Sequence, residues 1–262
     1  MAIGGGGALV VIIVAVVMAL MGKDPSALLE VATGSSTSAP VGSVQPSPGE
    51  DRLADFVSVV LADTEDTWTA ILSQRGVQYQ PPRLVLFRGA VESSCGYNTA
   101  AVGPFYCPPD RQVYIDLSFF EELDQQFGAP GDFAQAYVVA HEVGHHMQTL
   151  LGISQRLRDQ KRGMAEVEAN RLSVMQELQA DCFAGVWANH AQQRNLLEPG
   201  DLEEGLRAAA SIGDDTLQRR ATGRVQPESW THGSSDQRVR WFRAGFSSGA
   251  MEQCNTYQAA AL

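Results

Sequence analysis

His141-Glu142-Val143-Gly144-His145 is the stretch of the chain whose residue types and spacing can do chemistry most directly. On a helix, positions i and i+4 share a face, so the two imidazoles can meet on one cation. Glu142 then points aside but stays within reach of a water on that cation. Zinc accepts nitrogen and carboxylate ligands, and a catalytic zinc site leaves its fourth position to water. The metal lowers the pKa of that water toward about 7, and a neighbouring carboxylate takes its proton during attack on a carbonyl. The competing reading is an ordinary surface helix that carries histidines by chance. It does not account for three of the chain's five histidines falling within six positions, 141–146. His146 stands one step off the ligand face and is not expected to bind metal.

A third ligand is required, and Glu177 in Glu177-Leu178-Gln179-Ala180-Asp181 is the best candidate. Glu177 and Asp181 are again i and i+4 on a helical stretch. Glu177 would bind zinc, and Asp181 would accept the N–H of a ligand imidazole and fix its tautomer. A solvated acidic face is the alternative, and that reading suits Glu166 and Glu168. His190 is a rival ligand, but no carboxylate follows it at i+4. Hydrolysis also needs a group that stabilises a tetrahedral oxyanion. His232, in the polar segment 231–238 ahead of the last helix, is the candidate; a satisfied surface histidine is the competing reading.

The elements that must position these groups are mostly helical. Apolar residues between 51 and 75 follow the i, i+3, i+4, i+7 pattern, with Gly76 as the stop. Residues 83–87 (RLVLF) and 112–117 (QVYIDL) read as short strands. Asp132 is the expected N-cap of a helix to about Leu151, with Gly152 just past its end. Further helices are expected over 164–193, 202–211 and 235–246. The fold class is α+β: a mainly helical domain over 51–262 with a small sheet.

Ahead of it, residues 8–21 carry no charge and no polar side chain. With the preceding Ala, Ile and Gly residues they reach the roughly 20 needed to span a bilayer. A cleaved signal peptide would show a basic start and an A-x-A-like site, and neither is evident. We therefore expect a single transmembrane anchor over 1–23 and a flexible linker, rich in Ser, Thr, Gly and Pro, over 24–50. Lys23, on the C-terminal side of the anchor, by itself opposes translocation of the folded domain. The net charge of −11, without a block of Lys or Arg, excludes the electrostatic footprint of a nucleic-acid binder. Cys95, Cys107, Cys182 and Cys254 form no CxxC pair, which argues against a zinc ribbon. Cys95 and Cys107 flank a short turn-rich loop that a disulfide could close, and Cys182 with Cys254 is a possible second bridge. Connectivity stays open, as does the alternative of four buried thiols.

HEVGHH, ELQADCFAGVWA, GPFYCPPDRQVYIDLSFF and THGSSDQRVRWF together closely resemble the bacterial membrane-anchored neutral zinc metallopeptidases, over nearly the whole chain. The resemblance implies a zincin-like domain, Zn2+, a peptide or protein substrate and an extracytoplasmic (periplasmic) catalytic domain held to the membrane. The pattern is also similar to gluzincins, whose third ligand is a Glu with an Asp four residues later, as at Glu177 and Asp181. It further resembles the CAAX-processing and heat-shock membrane zinc peptidases, which place a His, and an Arg six residues on, after the third ligand. His232 and Arg238 fit, with Gly233 where those families usually have Pro; Arg238 would then support the ligands from behind. In such enzymes a hairpin before the ligand helix pairs its edge strand with substrate, a part that residues 103–117 would play. Two other functions compete: a non-catalytic envelope zinc-binding module, and an amidase acting on cell-wall peptides.

Overall fold

The computed structural model describes residues 48–259 and 262. The expected anchor (1–23) and nearly all of the linker (24–50) lie outside the described residues. Among the described residues no helix is long and apolar enough to cross a membrane.

Within the described residues, eight α-helices and two small sheets succeed one another: α1 (Pro48–Ser73), β1 (Arg83–Phe87), β2 (Ala90–Ser93), β3 (Gly96–Thr99), β4 (Phe105–Cys107), β5 (Gln112–Asp116), α2 (Phe119–Gln125), α3 (Asp132–Leu150), α4 (Ile153–Lys161), α5 (Glu166–Gln193), α6 (Asp201–Ser211), α7 (Asp214–Thr222) and α8 (Ser235–Ser248). The domain is mainly helical and α+β, as the sequence predicts. Three features depart from that prediction. The expected helix over 164–193 begins only at Glu166, because Ala165 is still extended. The strands β2 and β3 and the helices α2, α4 and α7 were not anticipated. Finally, Gly131 rather than Asp132 occupies the cap position of α3, and no side chain of its own segment caps it. The acceptor comes instead from α6, where Glu204 Oε2 takes the Phe133 N–H at 3.2 Å. A Cβ at Gly131 would collide with that carboxylate.

The centre of the domain is α5, packed most extensively against α8 and α3. Tyr137, Phe183, Phe242 and Trp68 are fully buried where α3, α5, α8 and α1 meet. The approach of α5 and α8 is set by glycine. A Cβ at Gly245 would sit 1.9 Å from the Cys182 carbonyl oxygen, and one at Gly185 would sit 2.0 Å from that of Phe242. The two backbones therefore touch. The crossing of α3 over α5 is close as well, since a Cβ at Gly144 would lie 2.9 Å from the Ala180 oxygen. Gly144 is one of the three residues between the two motif histidines, so the same contact brings both beside α5.

The larger sheet has the order β1-β5-β4, with β1 parallel and β4 antiparallel to β5. β4 is thus an edge strand, and the β4–β5 hairpin lies where the family resemblance implied one, within 103–117. Two disulfides resolve the connectivity: Cys95–Cys107 ties the β2–β3 turn to β4, and Cys182–Cys254 ties α5 to the C-terminal segment.

Gly245→Ala forces a methyl group against the α5 backbone. It should destabilise the domain by about 3 kcal/mol, the upper end for overpacking, read as a lower midpoint in denaturant unfolding. An unchanged midpoint would mean the helices are not held this close.

Candidate metal centre

α3 presents His141 and His145 on one face, and α5 presents Glu177 opposite them. One nitrogen from each ring and one carboxylate oxygen lie within 4.8 Å of one another. His141 Nε2 is 3.2 Å from Glu177 Oε2, and His145 Nε2 is 3.4 Å from the same atom. Four ligands about 2.0–2.1 Å from a tetrahedral zinc are separated by about 3.3 Å. The donor set and its spacing therefore fit zinc.

Each imidazole is held by its other nitrogen, which leaves Nε2 facing the shared point. His141 Nδ1 donates to Asp181 Oδ1 at 2.8 Å. Asp181 is completely buried and takes three further bonds: from Tyr137 Oη at 2.5 Å, and from Arg238 Nε and Nη2, both at 2.9 Å. The Arg238–Asp181 contact is thus a two-pronged ion pair shielded from water. Arg238 and Asp181, both expected behind the ligands, are joined directly to one another. His145 Nδ1 donates to Gln148 Oε1 at 3.0 Å. Gln148 in turn donates to the Gln176 carbonyl at 2.7 Å and to Gln179 Oε1 at 3.2 Å, and Gln179 donates to the Cys254 carbonyl at 2.9 Å. A run of buried amides therefore fixes the second imidazole, where a carboxylate fixes the first.

The electrostatics are set by this arrangement. Burial alone would push the His141 imidazole down, but Asp181 and Glu177 outweigh it and raise it to about 10. Burial alone would push Glu177 up, yet His145, His141 and His232 hold it well below the usual carboxylate range. Burial opposes ionisation of Asp181 too, and Arg238 and His141 bring it to about 2. Such a concentration of negative potential on two imidazoles favours a positively charged occupant.

The remaining predicted residues divide clearly. Glu142 is buried and lines a cleft of about 620 Å³ together with His141, His145, Glu177 and His232. Its carboxylate is outside the three-donor cluster and makes no hydrogen bond to another described residue. His232 is exposed at the cleft wall, and its loop is gathered by one carboxylate. Asp214 Oδ2 accepts from the backbone N–H groups of Thr231, His232 and Gly233 at 2.8, 2.7 and 3.0 Å, while Oδ1 lies 3.2 Å from His232 Nδ1. The Asp214 bond raises His232 above the ordinary imidazole range. His146 faces away from the cluster. Its Nε2 donates to the Gln80 carbonyl at 2.6 Å and its Nδ1 accepts from Tyr106 Oη at 3.0 Å, and burial pushes it down to about 4. His190 donates to the Gly249 carbonyl at 3.0 Å and is not at the site.

Sequence reasoning missed Tyr137, Gln148, Gln179 and Asp214. Tyr137 and Gln148 carried a usable signal, being i−4 from His141 and i+3 from His145. Gln179 and Asp214 carried none, since their partners are remote in sequence.

The chain is 54% identical to the uncharacterized protein YpfJ of Escherichia coli K12 over 229 residues, 86% of this chain and 80% of that one. It is 43% identical to the uncharacterized protein Mb2605 of Mycobacterium bovis and to the uncharacterized protein Rv2575 of Mycobacterium tuberculosis H37Rv, in each case over 218 residues, 79% of this chain and 73% of theirs. No solved structure matches. A family model described as "Putative neutral zinc metallopeptidase" matches residues 1–257, so the chain belongs to that family, and the family implies Zn2+.

Proposed function

We propose that the domain is a zinc metallopeptidase that hydrolyses peptide bonds of proteins or peptides at the bacterial cell envelope. One observation carries this reading: three donors converge, both imidazoles at tetrahedral spacing from Glu177, with the uncommitted carboxylate of Glu142 in the same cleft. A purely structural zinc site closes its fourth position with Cys or His and has no use for a base.

His141, His145 and Glu177 would hold the metal, which when bound polarises the scissile carbonyl and acidifies water. Glu142 accepts the proton of the attacking water and passes it to the leaving amine. His232, its Nδ1 held 3.2 Å from Asp214, donates from Nε2 to the oxyanion of the tetrahedral intermediate. The free edge of β4 runs along the cleft through Phe105 and Tyr106, and pairs with the backbone of an extended substrate. Backbone pairing is indifferent to most side chains, which suits a peptide substrate and not a small amide. His146 fixes that strand to the ligand helix through Tyr106. The envelope location rests on the apolar stretch at 8–21 and on the two disulfides, which persist in oxidising compartments.

Two outcomes test the assignment. Glu142→Gln should keep one zinc per chain and lose at least about 100-fold of casein hydrolysis. A variant cleaving as fast as the parent would exclude Glu142 as the base. Asp181→Asn should weaken zinc binding by about 10–100-fold, measured by competition with a chelating dye. Unchanged affinity would show that Asp181 does not prepare His141 for the metal.

A further inference from the structure

Lys161 is the last residue of α4 and lines the same cleft as Glu177 and His145. A lysine in the last turn of a helix can bond that helix's free carbonyls. This one leaves its own helix and donates from Nζ to Ser173 Oγ on α5 at 2.8 Å. Ser173 passes its own proton to the Ala169 carbonyl at 3.2 Å, so its lone pairs face the ammonium. Lys161 is partly buried, and among the described residues no carboxylate forms an ion pair with it. The carboxylate that acts on it is Glu177, and it does so at a distance. In the peptidase reading the charge of Glu177 is committed to the metal. Lys161 is then a half-desolvated cation in the active cleft without a counter-ion, an arrangement that is costly unless a ligand completes it.

We propose that Lys161 and Ser173 form a subsite that takes a carboxylate of the peptide substrate. Ser173 precedes Glu177 by one helical turn, about 6 Å along the axis. At about 3.3 Å per extended residue, the carboxylate belongs within about two residues of the scissile bond. Two sources share this chemistry: a free C-terminal carboxylate and the side chain of Asp or Glu. The subsite deepens the peptidase reading and rests on it.

The test uses zinc-loaded protein and matched peptides that differ in one group near the scissile bond, a free C-terminus against its amide and Glu against Gln. A charge-assisted hydrogen bond in a partly desolvated cleft should give at least one pair a kcat/KM ratio of about ten or more. The pair that shows the ratio identifies the source. Lys161→Met should bring the ratio close to one, and Lys161→Arg should keep most of it. A ratio near one in the parent, or an undiminished ratio in Lys161→Met, overturns the subsite. Binding of the same peptides to zinc-loaded Glu142→Gln, with and without Lys161→Met, separates the two claims. A Lys161-dependent preference in binding, with no hydrolysis by the parent, keeps the subsite and removes the peptidase. Hydrolysis without any carboxylate preference does the reverse.

Discussion

A single buried carboxylate, Asp181, collects donors from three directions: His141 and Tyr137 on α3, and both prongs of Arg238 on α8. A charge taken this far from water is tolerated only if its neighbours satisfy it completely, and loss of one partner leaves the others uncompensated. The requirement works in both directions. Arg238 is almost completely buried and needs Asp181 as much as Asp181 needs it. The His141 ring is consequently fixed by the same interaction that keeps three helices in register, and its second nitrogen has one direction left to face. Contact between α5 and α8 through Gly185 and Gly245 lets a guanidinium on one helix reach a carboxylate on the other. Helix packing and ligand geometry are one constraint here.

α3 distributes different tasks to successive faces of a single turn. His141 leans on a carboxylate and its ring gains basicity; His145 leans on a chain of amides that supplies orientation without charge. His146, next in sequence, is neutral and clamps the sheet through Tyr106. The edge strand is therefore tied to the helix that carries His141 and His145. This matters for a hydrolase that must set a backbone carbonyl against a fixed point, since misplacement of about 1 Å can cost two orders of magnitude in rate. The opposite wall is built differently: His232 reaches the cleft from a loop gathered by Asp214.

Much of this was legible in the sequence, for identifiable reasons. The helix carrying His141 was read from its end signals, Asp132 and Gly152, and i, i+4 spacing is a local rule that survives without knowledge of the fold. The last helix carries a local signal of its own in the Ser234–Gln237 capping box. What was not legible depends on partners far along the chain. Glu204 caps α3 from 71 residues away, and Asp214 holds the His232 loop from 18. β4 is three residues long, too short for a period of two to be read, and it exists because β5 pairs with it. The short helices α4 and α7 are strongly polar, and exposed polar helices leave little apolar pattern.

Asp181 and Gln148 turn the His141 and His145 rings toward Glu177, the arrangement that one shared zinc would need. Anomalous diffraction at the zinc edge from crystals of the purified domain tests it most directly. A single peak should lie about 2.0–2.1 Å from His141 Nε2, His145 Nε2 and a Glu177 oxygen, with His141 Nδ1 still on Asp181. A metal bound elsewhere, or a Glu177 side chain turned away from the peak, would contradict the arrangement of the whole site.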